Sequence, residues 1–373
     1  MTGRRARMVM KAFVHRATVA LRFVFPKAQV RHDARKVRES GLFDRDFYRR
    51  SNPRLRRLFQ LAPERHYVLF GEPAGLCPNP SFSPRAYLHN NPDVHDSRAL
   101  LHFIQTGQSE GRVVLDATPV VDLALPHITR DDHPVTPARV AVVLHLFYHD
   151  LWEEFCAALM QQEFAFDLFV TATGAPHDVA PLRARILAVF PQARVWAMAN
   201  HGRDIFPFVH VVGSGILAPY RAVCKLHSKR SPHRADGDMW RRTLVAGVLG
   251  PAAQTCARLK KFLANPSVGL WVADGQIVEG DDWWGVNRPR ALALLVRQDA
   301  DLEQGPLRFP AGSVYWIKQP VLAVLEDLTL RAADFEREQH LVDGTTAHAV
   351  ERIMGVLTYK ADQKMCTTRD LDA

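Results

Sequence analysis

The sequence predicts an α/β fold with a parallel sheet, preceded by a small α-helical repeat region. From residue 139 onwards, short valine-rich apolar runs alternate with stretches of helical spacing. Such alternation is typical of strands that are buried on both faces and joined by helices, as in Rossmann-type domains. Before residue 113, one sequence pattern occurs twice, which is typical of small helical units. The 373 residues are enough for both parts.

The composition excludes several classes of protein. Residues 1–40 carry eleven Lys or Arg against two acidic residues, an excess of nine that equals the net charge of the whole chain. The remainder is balanced in charge, so no nucleic-acid partner is expected. The five cysteines are scattered and form no CxxC pair, which argues against a disulfide framework or a zinc site and fits a reducing compartment.

The basic segment, residues 1–40, is predicted to dock on a membrane surface. Between Met8 and Phe25 apolar residues are interspersed with Lys and Arg, so a helix here is basic and partly amphipathic. A disordered basic arm is the alternative. The apolar runs are too short for a spanning helix or a secretory signal. We therefore expect a cytoplasmic protein, peripheral on the inner face of the cytoplasmic membrane.

Residues 41–112 contain the internal repeat. The pattern of residues 43–75 recurs in residues 82–111, with a tyrosine, an Asn-Pro pair, a histidine–aromatic pair and two glycines in the same order. Each copy reads as a helix, an Asn-Pro turn, a second helix and a glycine-bounded exit. Units this short bury too little surface alone, so the two are expected to stack. A structural role is favoured, and no chemistry is assigned to His66 or His102.

The main domain is predicted to span residues 139–373, after a linker at 113–138 that is rich in Pro, Asp and Thr. Its first strand is the apolar, valine-rich run Val140–Leu146. The same alternation predicts helices at 150–162 and 181–190 and further strands at 166–171, 194–199 and 220–226. In such sheets ligands bind beyond the carboxyl ends of the strands, so the loops that follow the strands are the places to search for function.

Two of these loops contain candidate phosphate ligands. After the third strand, a glycine lets the backbone approach a ligand, and the next helix offers its N-terminal amides. The fourth strand leads into a cationic cluster that ends in His233 and Arg234. Lysine offers a point charge and arginine a fork to a diphosphate, whereas an acidic surface or loop is the alternative partner. The predicted diphosphate ligands are Asn200, Gly202, Arg203, Asp204, His227, Lys229 and Arg230.

Several separated motifs share their order with one known family. They are His145–Tyr148, Phe166–Thr171, Asn200–Asp204, Lys225–Ser231, Trp240-Arg241, Asn265–Gly269, Ala311–Trp316 and the residues from Glu338 to Arg352. In this order they resemble the rhamnan synthesis protein F family over residues 138–355. The resemblance implies a GT-A-like nucleotide-sugar transferase of cell-surface polysaccharide synthesis, with dTDP-rhamnose as donor and a lipid-linked glycan as acceptor. A non-catalytic glycan-binding or assembly scaffold is the alternative.

The resemblance also bears on metal dependence. In GT-A transferases the equivalent strand ends in an Asp-x-Asp pair that holds a divalent cation, whereas this strand ends in His227-Ser-Lys229. We therefore expect no metal, with Lys229 neutralising the leaving nucleoside diphosphate instead. Asp236 and Asp238 remain as alternative metal ligands.

The C-terminal part contains candidate residues for the sugar and for proton transfer. Residues 309–316 read as a tight loop into a strand, in which Gly312 allows close approach and Trp316 or Tyr315 offers a stacking face, with burial of both aromatics as the alternative. Asp343 at a helix-opening turn is the predicted catalytic base and Glu338 the second choice, and a helix N-cap is the alternative for Asp343. The predicted sugar and acceptor ligands are Gly312, Ser313, Trp316 and His348.

Overall fold

A computed structural model describes residues 21–52, 55, 57–79, 82–91, 93–94, 98–112, 125–132, 138–228, 230, 236–296, 307–335 and 343–372. The chain forms two compact units. The repeat unit comprises Met1–Asp122 and Arg288–Asp301, and the sheet unit comprises Leu123–Asn287 and Leu302–Ala373. Residues 1–20 of the basic segment, most of the predicted linker, Lys229 and Glu338 lie outside the described residues.

In chain order, the helices are α1 (Ala28–Glu39), α2 (Arg45–Ser51), α3 (Arg57–Leu61), α4 (Pro63–His66), α5 (Pro84–Asn90), α6 (Ala99–His102), α7 (Trp152–Met160), α8 (Pro176–Val189), α9 (Ile205–Gly213), α10 (Gly237–Val248), α11 (Ala252–Ala264), α12 (Arg288–Val296), α13 (Gln319–Glu326), α14 (Thr346–Lys360) and α15 (Thr368–Asp372). The strands are β1 (Val140–Leu146), β2 (Phe166–Thr173), β3 (Arg194–Met198), β4 (Ala222–His227), β5 (Val268–Val272), β6 (Ile277–Glu279), β7 (Arg308–Pro310), β8 (Tyr315–Lys318) and β9 (Lys364–Thr367). Where the chain is described, none of the helices is both long and apolar enough to cross a bilayer.

Each copy of the repeat is held together by a tyrosine–histidine pair. The hydroxyl of Tyr48 lies 2.9 Å from Nδ1 of His66, and the hydroxyl of Tyr87 lies 2.7 Å from Nδ1 of His102. Burial lowers the pKa of His66 to about 4. Both histidines therefore contribute to the packing of the repeats in this structure.

Two segments outside residues 41–112 belong to the repeat unit. α1 buries Val37 in the core of the repeats, although it lies within the predicted basic segment, residues 1–40. α12 buries Leu294 and Leu295 and contacts the π-helical turn Tyr67–Gly71, although it lies within the predicted main domain. The partner of an amphipathic helix cannot be identified from its local pattern, which explains both differences.

Seven strands of the sheet unit form one sheet in the order β3-β2-β1-β4-β8-β5-β9. β3, β2, β1 and β4 are parallel, which is the strand order of a Rossmann-type half-sheet. The predicted α/β class is therefore confirmed. β8 runs antiparallel to both β4 and β5, so the sheet is mixed. β8 follows β7 after a short turn rather than a crossover helix, and the alternation pattern does not show its direction.

The core of the sheet unit includes Trp316, which is one of the predicted sugar ligands. Trp316 on β8 and Trp271 on β5 are fully buried and stacked, with ring centroids 6.1 Å apart. The indole Nε1 of Trp316 donates to the carbonyl oxygen of Val248 at 2.9 Å. The prediction that Trp316 stacks on a sugar is therefore wrong, because its ring is part of the core.

Candidate functional site

The carboxyl ends of β1, β3 and β4 lie at one edge of the sheet, here called the carboxyl edge. His145 and His227 are register partners where β1 and β4 end. The loop after β3 brings Asp204 to 3.7 Å from Nε2 of His227. The two predicted phosphate-binding loops therefore meet at the place where α/β sheets bind their ligands.

Lys225 on β4 is buried beneath the carboxyl edge. Its Nζ lies 2.5 Å from Oδ2 of Asp204 and donates to the carbonyl oxygen of Ser313 at 2.9 Å, and its side chain is only 1% exposed. The rings of Phe208 and Tyr315 lie 5.5 and 5.7 Å from the ammonium. A buried charge is tolerated when it is paired and hydrogen-bonded. Lys225 thus holds two loops together.

Both of these loops contain consecutive residues in the left-handed backbone region. Gly202 and Arg203 have φ values of 61° and 58°, and Gly312 and Ser313 have values of 86° and 55°. For arginine and serine this conformation costs free energy, and such strain is concentrated at functional sites. A Cβ on Gly202 would collide with neighbouring phenylalanine side chains, so glycine is required there.

The turn between β7 and β8, here called the Gly312 turn, is held by two hydrogen-bonded contacts. Nε2 of His227 lies 2.8 Å from the carbonyl oxygen of Gly312, which can only accept, so this nitrogen carries a proton. The N–H of Gly312 donates to Oε1 of Glu351 at 3.0 Å. The residue His227 is only 5% exposed. Predicted as a diphosphate ligand, His227 acts in this structure as a positioning residue for the turn.

Arg203 extends from the carboxyl edge to α14. Its Nη1 lies 3.0 Å from Nε2 of His348, and because a guanidinium can only donate, this ring nitrogen accepts. Nδ1 of the ring lies 2.8 Å from Oγ1 of Thr345 and 3.3 Å from the backbone nitrogen of the same residue. Burial, followed by the charge of Arg203, lowers the pKa of His348 to about 4, so the ring is neutral at pH 7. A predicted diphosphate ligand and a predicted acceptor ligand are thus in contact.

Asp343 lies beside this pair. Thr345, whose hydroxyl accepts the N–H of His348, is the N-cap of α14, so the N-cap alternative for Asp343 is wrong. The carboxylate of Asp343 accepts from Nδ2 of Asn287 at 2.8 Å and pairs with Arg352 at 3.0 Å. Its side chain remains 39% exposed. Asp343 is therefore held in one orientation and is still accessible.

The other predicted ligands lie apart from these contacts. Arg230 pairs with Asp150 in the loop after β1, and its guanidinium lies 4.7 Å from the ring centre of Tyr148. Asn200 is exposed at the start of the loop after β3. Arg230 thus lies next to the end of β1, with its charge paired to Asp150.

The two aspartates considered as alternative metal ligands have other surroundings. Asp238 is ion-paired with Arg241, and Asp236 is exposed where α10 begins. Within the described ranges, no three His, Cys, Asp or Glu side chains come together in a way that could hold a metal ion.

Three residues make contacts that the sequence motifs did not assign to them. Lys225 stands in an otherwise apolar strand, and a lone charge at such a position indicates a buried partner. Ser228 accepts the N–H groups of Phe147 and Tyr148 at 2.8 and 2.9 Å and so ties the end of β4 to the end of β1. No local sequence pattern indicates the role of Asn287, because it contacts the carboxylate of Asp343, which lies 56 residues later in the sequence.

The fold and these contacts define an α/β protein with a candidate ligand site at the carboxyl edge of a Rossmann-type half-sheet. The sequence profile of the rhamnan synthesis protein F family matches residues 111–363. The chain belongs to this family, which confirms the resemblance seen in the motifs.

Two curated relatives are similar over most of the chain. The uncharacterized protein WxcX of Xanthomonas campestris pv. campestris strain B100 is 32% identical over 257 residues, and WxcX of a second strain is 31% identical. The alignment covers 69% of this chain but 36% of the relatives, so the chain spans about a third of their length.

Among solved structures, the chain is similar to the mannosyltransferase PcManGT from Pyrobaculum calidifontis in complex with GDP-Man and Mn²⁺. The superposition covers 72% of this chain and 61% of that one, with a TM-score of 0.32 and 14% sequence identity. A similarity this low is no argument for a shared activity.

Proposed function

We propose that the chain is an inverting glycosyltransferase that moves L-rhamnose from dTDP-rhamnose onto a lipid-linked cell-surface polysaccharide. Membership of the rhamnan synthesis protein F family supports a role in polysaccharide synthesis. One structural observation carries the proposal: the Arg203–His348 contact joins the carboxyl edge to the accessible carboxylate of Asp343. In the proposal, the Arg203 guanidinium serves the diphosphate and the Asp343 carboxylate serves the acceptor hydroxyl.

The donor diphosphate is assigned to the carboxyl edge. Arg203 and Arg230 bring guanidinium groups there, and Lys229 directly precedes Arg230 in the sequence. Charge-assisted hydrogen bonds from such groups stabilise the negative charge of the leaving dTDP. Gly312 and Ser313 are assigned to the sugar. The proposal requires no metal ion.

Asp343 is the proposed base, with Glu338 as second choice. An acceptor hydroxyl oxygen attacks the anomeric carbon as the bond from that carbon to the diphosphate oxygen breaks. The hydroxyl proton passes to the carboxylate, and the electron pair of the broken bond leaves with dTDP. Attack opposite the leaving group inverts the anomeric configuration. His348 is assigned to the acceptor side, and residues 1–40 to the membrane that holds the lipid-linked acceptor.

A transfer assay without added metal and with EDTA tests the proposal. The purified chain is incubated with dTDP-rhamnose and lipid-linked glycan, and the product is analysed by mass spectrometry. We expect addition of one deoxyhexose, reduced about 100-fold in Lys229→Ala and unchanged in the exposed-lysine control Lys260→Ala. A folded chain that is inert toward a panel of nucleotide sugars would remove the proposal in favour of the scaffold alternative.

A further inference from the structure

An exposed tryptophan lies close to Asp343. Trp283, in the 3-10 helical segment Asp281–Asn287, has 53% of its surface exposed, whereas its neighbour Trp284 is buried. Single exposed hydrophobic side chains are common on protein surfaces, so exposure alone does not mark a site. The contacts around Trp283, however, mark it as a candidate binding residue.

Arg352 links the backbone of Trp283 to the proposed base. Its Nε donates to the carbonyl oxygen of Trp283 at 2.7 Å, and its Nη2 lies 3.0 and 3.1 Å from the two carboxylate oxygens of Asp343. The ring of Phe309 packs edge-to-face against the indole with centroids 6.4 Å apart, and the Arg352 guanidinium lies 5.4 Å from the same ring. The indole therefore has a fixed support on one side, and about half of its surface is open.

The chain bends sharply after the two tryptophans. Gly285 has φ 44° and ψ −137°, a conformation that strongly favours glycine, and a Cβ on it would lie 4.0 Å from Oδ2 of Asp343. Two residues later, Asn287 donates to Oδ1 of the same carboxylate. Gly285 and Asn287, which follow Trp283 in the same segment, thus both lie next to the Asp343 carboxylate.

We infer that Trp283 is a stacking platform for a neutral sugar ring of the acceptor glycan. Sugar rings have an apolar C–H face, and an indole offers a large, rigid surface for it. The exposed carboxylate of Asp282 offers acceptors for the sugar hydroxyls. The ring is assigned to the acceptor because a carboxylate that takes the acceptor's proton must lie within hydrogen-bond reach of it. This last step rests on the proposed function.

Fluorine NMR of the full chain labelled with 5-fluorotryptophan tests the inference. The chain has seven tryptophans, and the resonance missing from Trp283→Phe identifies Trp283. On addition of an α-linked L-rhamnose trisaccharide, we expect a saturable shift of this resonance. Trp283→Ala should weaken trisaccharide binding about tenfold, and Trp283→Phe should keep most of it because an aromatic face remains. Tyr359→Ala, which removes another exposed aromatic of the sheet unit, should leave binding unchanged.

The inference is overturned if the Trp283 resonance of the wild type does not respond, or if the trisaccharide affinity is unchanged in Trp283→Ala. The readout needs neither donor nor turnover, so it separates this inference from the proposed function. Trisaccharide binding at Trp283 by a chain that transfers no sugar would remove the proposed function alone. Sugar transfer with an unchanged acceptor KM in Trp283→Ala would remove the inference alone.

Discussion

Nη1 of Arg203 lies 3.0 Å from Nε2 of His348, although the two residues are 145 positions apart in the sequence. The contact joins the loop after β3 to the first turn of α14, next to Asp343. Arg203 makes it from a left-handed backbone conformation, with φ 58°, that costs an arginine free energy. This strained conformation fits the proposed role of Arg203 as a ligand of the donor.

Replacing Arg203 by glycine is expected to separate stability from activity. Glycine relieves about 1 kcal/mol of backbone strain and adds a similar entropy to the unfolded chain, so stability should stay within about 1 kcal/mol of the wild type. The kcat/KM for the donor should fall about 100-fold, because one cation is lost from the carboxyl edge. Urea unfolding and initial rates measure the two effects. A variant with full activity would show that Arg203 does not contact the donor.

Removing the ammonium of Lys225 is expected to destabilise the sheet unit. Lys225→Met leaves the carboxylate of Asp204 without its buried partner, at a cost of about 3 kcal/mol. Adding Asp204→Leu removes the unpaired charge and should recover about half of this loss. Urea unfolding followed by tryptophan fluorescence measures both variants. If the single variant is as stable as the control Lys260→Met, Lys225 does not hold the two loops together.

Stability is expected to depend on the titration of His348 between pH 6.5 and about 4. Its pKa is lowered from about 6.5 in the unfolded chain to about 4 in the folded one, so the folded state binds fewer protons in this window. The contribution of neutral His348 to the free energy of unfolding is therefore fully present above pH 6.5. It declines as the pH falls toward 4. The glutamine of His348→Gln cannot titrate. Between pH 6.5 and about 4, the free energy of unfolding of this variant should therefore fall by up to about 3 kcal/mol less than that of the wild type. Other buried histidines are common to both proteins, and parallel profiles would rule out this role for His348.

The repeat unit offers a test of its tyrosine–histidine packing. In Gly71→Ala the new Cβ would collide with the hydroxyl of Tyr48, which should destabilise the unit by about 2 kcal/mol. In a Tyr48→Phe background the colliding oxygen is absent, so the same change should cost less than about 1 kcal/mol. Hydrogen exchange of peptides from residues 43–107 measures both effects. Gly213→Ala, where a Cβ meets nothing, is the control, and equal costs of Gly71→Ala in both backgrounds would contradict this packing.

The first four strands were predictable because their signal is local. β1 has the predicted bounds, Val140–Leu146, since every residue in it is buried and apolar or paired. The direction of β8 was not predictable, because it depends on which neighbours the strand meets. Trp316 was misassigned for a related reason: an aromatic next to a glycine turn has the same local pattern whether it faces the core or a ligand.

The contacts of the site were predictable only in part. The motifs placed Arg203, His348 and Asp343 near a ligand, and these three residues do lie together. The roles of Asn287 and Arg352 depend on contacts across the folded chain, for which no local pattern exists. Trp283 was overlooked because exposure, unlike hydrophobicity, is a property of the fold.

The rate of sugar transfer by Asp343→Asn shows whether Asp343 is the catalytic base. The amide keeps the shape of the carboxylate but cannot accept the hydroxyl proton, so transfer from dTDP-rhamnose should fall by about 10²–10⁴-fold while donor binding is retained. The control Glu326→Gln alters an exposed carboxylate at the end of α13 and should transfer at the wild-type rate. If Asp343→Asn also transfers at the wild-type rate, Asp343 is not the base and the proposed mechanism is wrong.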